Sequence, residues 1–102
     1  MSGYVLKTAE LPVELPVDWR AHGLEPDEHV CDDLGWTVMP VTCELDLAVA
    51  EQFVAEDRSF ALLEGGVPGT TYMVSARVRT TSRRTLTRSY VIRIAEPVSR
   101  AA

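Results

Sequence analysis

TYMVSARVRTTSRRTLTRSYVIRI, residues 71–94, decides the fold. Tyr72, Val74, Ala76, Val78 and Thr80 alternate with Thr71, Met73, Ser75, Arg77 and Arg79. After the polar turn TTSRRT, Leu86, Arg88, Tyr90, Ile92 and Ile94 alternate with Thr87, Ser89, Val91 and Arg93. Side chains that change face at every residue over runs of this length belong to half-buried β-strands, and a short polar turn between two such runs makes a hairpin. Upstream, GGVPGT at 65–70 holds three glycines and a proline in six residues, a turn that separates this hairpin from the short run SFALLEG beginning at Ser59.

Further towards the start, Leu11, Val13, Leu15, Val17 and Trp19 alternate with Pro12, Glu14, Pro16, Asp18 and Arg20, the period of another strand. Its two prolines remove backbone donors, which predicts an edge position. AHGLEPDEH (21–29) is read as a loop, broken by Gly23 and Pro26. Val30, Asp32, Leu34, Trp36 and Val38 share one phase and predict a strand that stops at Pro40. Val41, Cys43, Leu45, Leu47 and Val49 predict a further strand, although ELDLAVAEQFVAED is rich in helix formers and leaves 45–56 open between strand and helix, with strand preferred. Six or seven short strands at regular spacing, with no clear helix, predict an all-β, immunoglobulin-like two-sheet sandwich spanning 1–102 as one domain, with an N-terminal arm at 1–10 and a C-terminal tail at 97–102.

The composition, 46% hydrophobic and 25% charged over 102 residues, is that of a folded globular protein. The net charge of -5 conceals a division: residues 1–64 carry fourteen acids and three bases, whereas 65–102 carry seven arginines and one acid, Glu96. An acidic chain is poorly suited to general nucleic-acid binding, so no direct nucleic-acid contact is expected. No apolar run approaches the roughly 20 residues of a membrane span, and MSGYVLKTAELP lacks the apolar core of a secretory signal, so a soluble protein made in the cytoplasm is expected, with no membrane contact.

No catalytic constellation is found. His22 and His29 both fall in the polar loop, without a nucleophile in a recognisable motif. Cys31 and Cys43 lack the paired spacing of a zinc knuckle and are read as small buried hydrophobes rather than a disulfide. The expectation is no catalytic residue, no metal and no cofactor. Trp19, Trp36, Tyr72 and Tyr90 have the phase of core residues, with Trp19, at the end of an edge strand, also a candidate interface residue. Arg77, Arg79, Arg83, Arg84, Arg88 and Arg93 form the sharper hypothesis. Arg77, Arg79 and Arg93 fall on outward phases and Arg83 and Arg84 at the turn, and arginine in place of lysine favours planar bidentate pairing at a protein interface. Glu25, Asp27, Glu28, Asp32 and Asp33 are the candidate acidic complement, in another copy or toward another partner.

Val17–Asp18–Trp19, the Trp36–Pro40 segment WTVMP, and Leu62–Ile94 together resemble the small tailed-bacteriophage structural proteins known as fibre–tail adaptors. Gly65, Gly66, Gly69 and Tyr72 match that family's turn-and-strand pattern, and Arg84, Thr85, Arg88 and Ser89 its hairpin pattern. Ser82–Arg83 stands where the family pattern carries a glycine, and 41–58 is longer and more acidic than the pattern. The resemblance implies a virion component that acts by binding, in multiple copies, on larger portal or neck, fibre or major capsid proteins. A capsid decoration protein and a host immunoglobulin-like binding module are the alternatives.

Overall fold

Over residues 3–96, which the computed structural model describes, the chain forms seven strands: β1 (Gly3–Lys7), β2 (Val13–Asp18), β3 (Val30–Met39), β4 (Ala48–Ala55), β5 (Arg58–Glu64), β6 (Thr71–Thr80) and β7 (Thr85–Ile94). They build a four-stranded sheet in the order β1-β7-β6-β3 and a three-stranded sheet in the order β2-β5-β4. This is the immunoglobulin-like sandwich predicted from the sequence, with β1 added parallel to β7. The tail expected at 97–102 lies outside the described residues.

The hairpin behaves as its alternation predicts. Tyr72, Val74, Ala76, Val78 and Thr80 are all buried, and their β7 partners Ile92 and Ile94 close the same inner face. Trp36 of β3 lies beside Ala76 on that inner face, and Leu15 and Val17 of β2 with Ala61 and Leu63 of β5 face them across the core. Trp19 is fully buried, its Nε1 donating to Ser59 Oγ at 2.8 Å. Pro16 is tolerated because β2 is an edge with only β5 beside it, as predicted, and its free carbonyl accepts from Tyr90 Oη of the other sheet at 2.7 Å.

Several expectations are corrected. Residues 41–47 are not a strand. Asp46 folds them into a loop by accepting from Thr42 N, from Cys43 N at 2.8 Å and from Tyr72 Oη at 2.6 Å, so amides that a ladder would use are bound by a side chain instead. The strand in the ambiguous region begins only at Ala48. Cys31 and Cys43 are exposed, and both are free thiols. Cys31 is the extra residue of a bulge between Val30 and Asp32, and Cys43 lies in the Asp46 loop. The bulge at Cys31 breaks the single phase expected for β3 by turning Asp32 outward, and a second between Asp33 and Gly35 restores it at Trp36. Within the expected N-terminal arm, β1 pairs with β7; its inward end is Lys7, whose Nζ donates to Gly65 O at 2.6 Å and whose burial holds the amine below its ordinary value against the pull of Glu10 and Glu64.

Each end of the sandwich is fastened by carboxylates. At the Asp46 end, Tyr72 Oη also accepts from Val67 N at 3.0 Å, the tyrosine corner of this fold class. Gly66, in the turn it secures, has φ of 110°, and a Cβ there would stand 2.5 Å from Ile94 Cδ1, so only glycine fits. At the opposite end Glu28, 1% exposed, accepts from Thr80 Oγ1 and from two nitrogens of Arg84. Beside it, Asp57 at the β4–β5 turn accepts from Val30 N, Arg20 and His29, each at 2.9 Å. The hydrogen bonds from Arg84 and Thr80 hold Glu28 far below the carboxylate range, and those from Tyr72, Thr42 and Cys43 do the same for Asp46. Burial opposes ionisation of Asp57, but its three donors outweigh that and bring it to about 2.

Two outcomes follow from these details. Depressed carboxyls contribute stability that is present above their ordinary values and lost as pH falls through their folded ones. For Asp57 that window runs from 3.8 down to about 2. The thermal midpoint is therefore expected to drop on acidification through this range, and Asp57→Asn to flatten part of the drop; a midpoint indifferent to pH between 4 and 2 would contradict it. At the β6–β7 turn, Arg83 has φ of 63° and donates its N–H to Thr80 O at 3.0 Å, the left-handed position of a hairpin loop that glycine ordinarily fills. Arg83→Gly is expected to stabilise the fold by about 0.5–1 kcal/mol, read as a rise of a few degrees in the midpoint.

Candidate docking surfaces

Residues opposite one another in a sheet share a face. On the outside of the four-stranded sheet, Tyr4 stands opposite Val91, Val91 opposite Met73, and Met73 opposite Met39. The result is an apolar row across all four strands, with Tyr4 65%, Met73 50% and Met39 64% exposed. A groove of about 450 Å³ follows part of it, lined by Met39, Pro40, Thr71, Tyr72, Met73 and Val91. One row further on, Arg93 lies between Leu6 and Thr71. In the other direction comes a row of small hydroxyls, where Ser75 Oγ and Ser89 Oγ are 2.9 Å apart, and then Arg77 opposite Thr87 and Arg79 opposite Thr85. At about 3.3 Å per residue, Arg93 is about 7 Å and Arg77 about 13 Å along the strands from the apolar row. The row is bracketed by arginines, and Asp32, opposite Arg79, is the one acid among these outward rows.

The three-stranded sheet has an outer face of opposite sign. Pro16, Phe60 and Phe53 form its central row, the two rings stacked with centroids 4.8 Å apart. Glu14, Leu62 and Glu51 form the next row, followed by Glu64. On the other side stands the row Asp18, Arg58, Ala55, in which Arg58 and Asp18 approach to 3.9 Å. Four carboxylates face one guanidinium.

Of the residues singled out in the sequence, Arg77, Arg79 and Arg93 are brought onto one exposed face, and Arg83 is exposed at the hairpin tip. Arg84 is turned back onto Glu28 and donates to Gly23 O at 2.7 Å, with 43% of its side chain exposed, while Glu28 is buried beneath it. Arg88 lies on the inward phase of β7, opposite buried Ala76. Trp19 is a core residue with no exposed surface to offer. The acidic residues are dispersed: Glu25 and Asp27 are exposed in the loop before β3, Asp32 is on the edge strand, and Asp33 accepts from Gly35 N at 2.8 Å.

The apolar row and the acidic face of the other sheet escaped the sequence reading. The outward phase of Glu14, Pro16 and Asp18 was visible in the alternation of β2, but their neighbours Phe60 and Phe53 are set by strand register, which a bulge between Val49 and Glu51 shifts. Among the described residues, no group of three or more His, Cys, Asp or Glu side chains is placed to hold a metal ion.

Among curated proteins none matches the chain. The sequence model described as the podophage GP4 fiber-tail adaptor protein gp77 matches residues 7–93, from the last residue of β1 to the end of β7, and the chain belongs to that family.

Proposed function

We propose that the chain joins tail and fibre proteins of a phage particle through the outer face of its four-stranded sheet. Membership of an adaptor family supports the linking role. The observation that carries the residue-level reading is the exposed row Tyr4–Val91–Met73–Met39 bracketed by Arg93 on one side and Arg77 and Arg79 on the other. An apolar centre that loses water on contact supplies affinity, and a charged rim fixes orientation and excludes wrong partners. The surface it meets is therefore apolar at its middle and anionic around it. The work is binding alone, with no catalytic step, cofactor or metal, and no contact with nucleic acid or membrane. The protein is made in the host cytoplasm and ends in the virion.

Arg77→Glu combined with Arg79→Glu reverses the rim at exposed positions without touching the core. Virions assembled with this variant are expected to lack the protein, as measured by quantitative gel analysis of purified particles, while the isolated variant keeps the wild-type circular dichroism spectrum. Incorporation at the wild-type level would remove the reading. The same gels give the copy number, expected at the scale of a tail vertex and not of a capsid lattice.

A further inference from the structure

A surface that answers the description of that partner belongs to the chain itself. We infer that the outer face of the three-stranded sheet of one copy docks on the outer face of the four-stranded sheet of the next, a head-to-tail association of identical chains. The inference rests on the docking face proposed above and names the partner of that face.

Three observations carry it. Both faces have an apolar row running across the strands: Tyr4, Val91, Met73 and Met39 on one, and Pro16, Phe60 and Phe53 on the other. The charges around those rows are opposite in balance, Arg93, Arg77 and Arg79 with the single acid Asp32 against Asp18, Glu14, Glu51 and Glu64 with the single base Arg58. The spacings also agree. Asp18 lies one row, about 7 Å, from the aromatic row, as Arg93 does from Met73, and Glu64 lies two rows away in the other direction, about 13 Å, as Arg77 does. Laying one apolar row on the other thus brings Asp18 to the level of Arg93 and Glu64 to that of Arg77. Flexible methionines against flat aromatic rings suit such a contact, since Met73 and Met39 can adapt to the stacked rings of Phe53 and Phe60.

The contact is heterologous: it uses two different patches and leaves one of each free at the ends, so repetition gives a ring or an open row of subunits. A three-stranded face at about 4.8 Å between strands is only about 14 Å wide, which places the contact in the weak, concentration-dependent class. Arginine–carboxylate rims make it salt-sensitive.

Analytical ultracentrifugation of the full chain tests this with two variants at exposed positions, Arg77→Glu/Arg79→Glu and Glu14→Lys/Glu51→Lys, each checked for wild-type circular dichroism. Wild type is expected to associate as concentration rises, with an association constant about tenfold lower in 0.5 M than in 0.05 M salt. Each variant alone is expected to stay monomeric. Mixed in equal amounts, the two are expected to recover association, because the intact acidic patch of one meets the intact basic patch of the other and the two reversed patches are themselves opposite in sign; a mixture that stays monomeric would overturn the inference. Continued association of the Glu14→Lys/Glu51→Lys variant alone would overturn the inference in favour of a like-with-like contact. Wild type that stays monomeric at roughly millimolar concentration, the limit of weak transient association, would also overturn it. If the arginine variant is then still excluded from particles, the docking face stands with a different partner; if it is incorporated, both readings fall.

Discussion

A carboxylate withdrawn from water must be fully bonded or it destabilises the fold, and Glu28 is where this chain meets that demand. Its neighbours are Thr80 at the end of β6 and Arg84 just before β7, so the bond network closes the turn of the hairpin and clamps the β2–β3 loop over it. Asp57 ties the β4–β5 turn to the start of β3 alongside. Together they fix the end of the sandwich near the hairpin tip, and Asp46 with Tyr72 fixes the other. The strands between are held in register, which is what allows rows of side chains four strands wide to exist on the outside.

The charge division seen along the sequence takes a spatial form that the linear order disguises. The arginine-rich C-terminal third supplies β6 and β7, the central strands of one sheet, and the acidic first two thirds supplies the whole of the other. The fold thus converts a gradient along the chain into two layers of opposite sign, back to back across an apolar core. Some of the charge is committed inside the fold: Glu28, Asp46 and Asp57, with Arg84 bonded to Glu28, hold the layers together.

How legible this was depended on whether local pattern and tertiary environment agreed. β6 and β7 could be read residue by residue because their inner positions are apolar or small and their outer ones polar. β1 could not, because its pattern is inverted: Tyr4 and Leu6 point to solvent while Lys7 is buried on a backbone carbonyl. The alternation at 41–47 was genuine in the sequence but lost to Asp46, whose side chain offered the backbone a better set of partners. The outward arginines were legible from phase alone. That Arg84 turns back onto Glu28, and that Met39, Met73, Val91 and Tyr4 line up, depends on register and on contacts between residues distant in the chain, which no local pattern encodes.

Pro16, in the middle of edge strand β2, denies the three-stranded sheet a hydrogen-bonded extension on that side. Contact between copies through the faces leaves every backbone hydrogen bond of each domain intact. A subunit joined in this way can leave again as a fully folded domain, so a misplaced one is recoverable during particle assembly, whereas a subunit joined by strand exchange would first have to unfold.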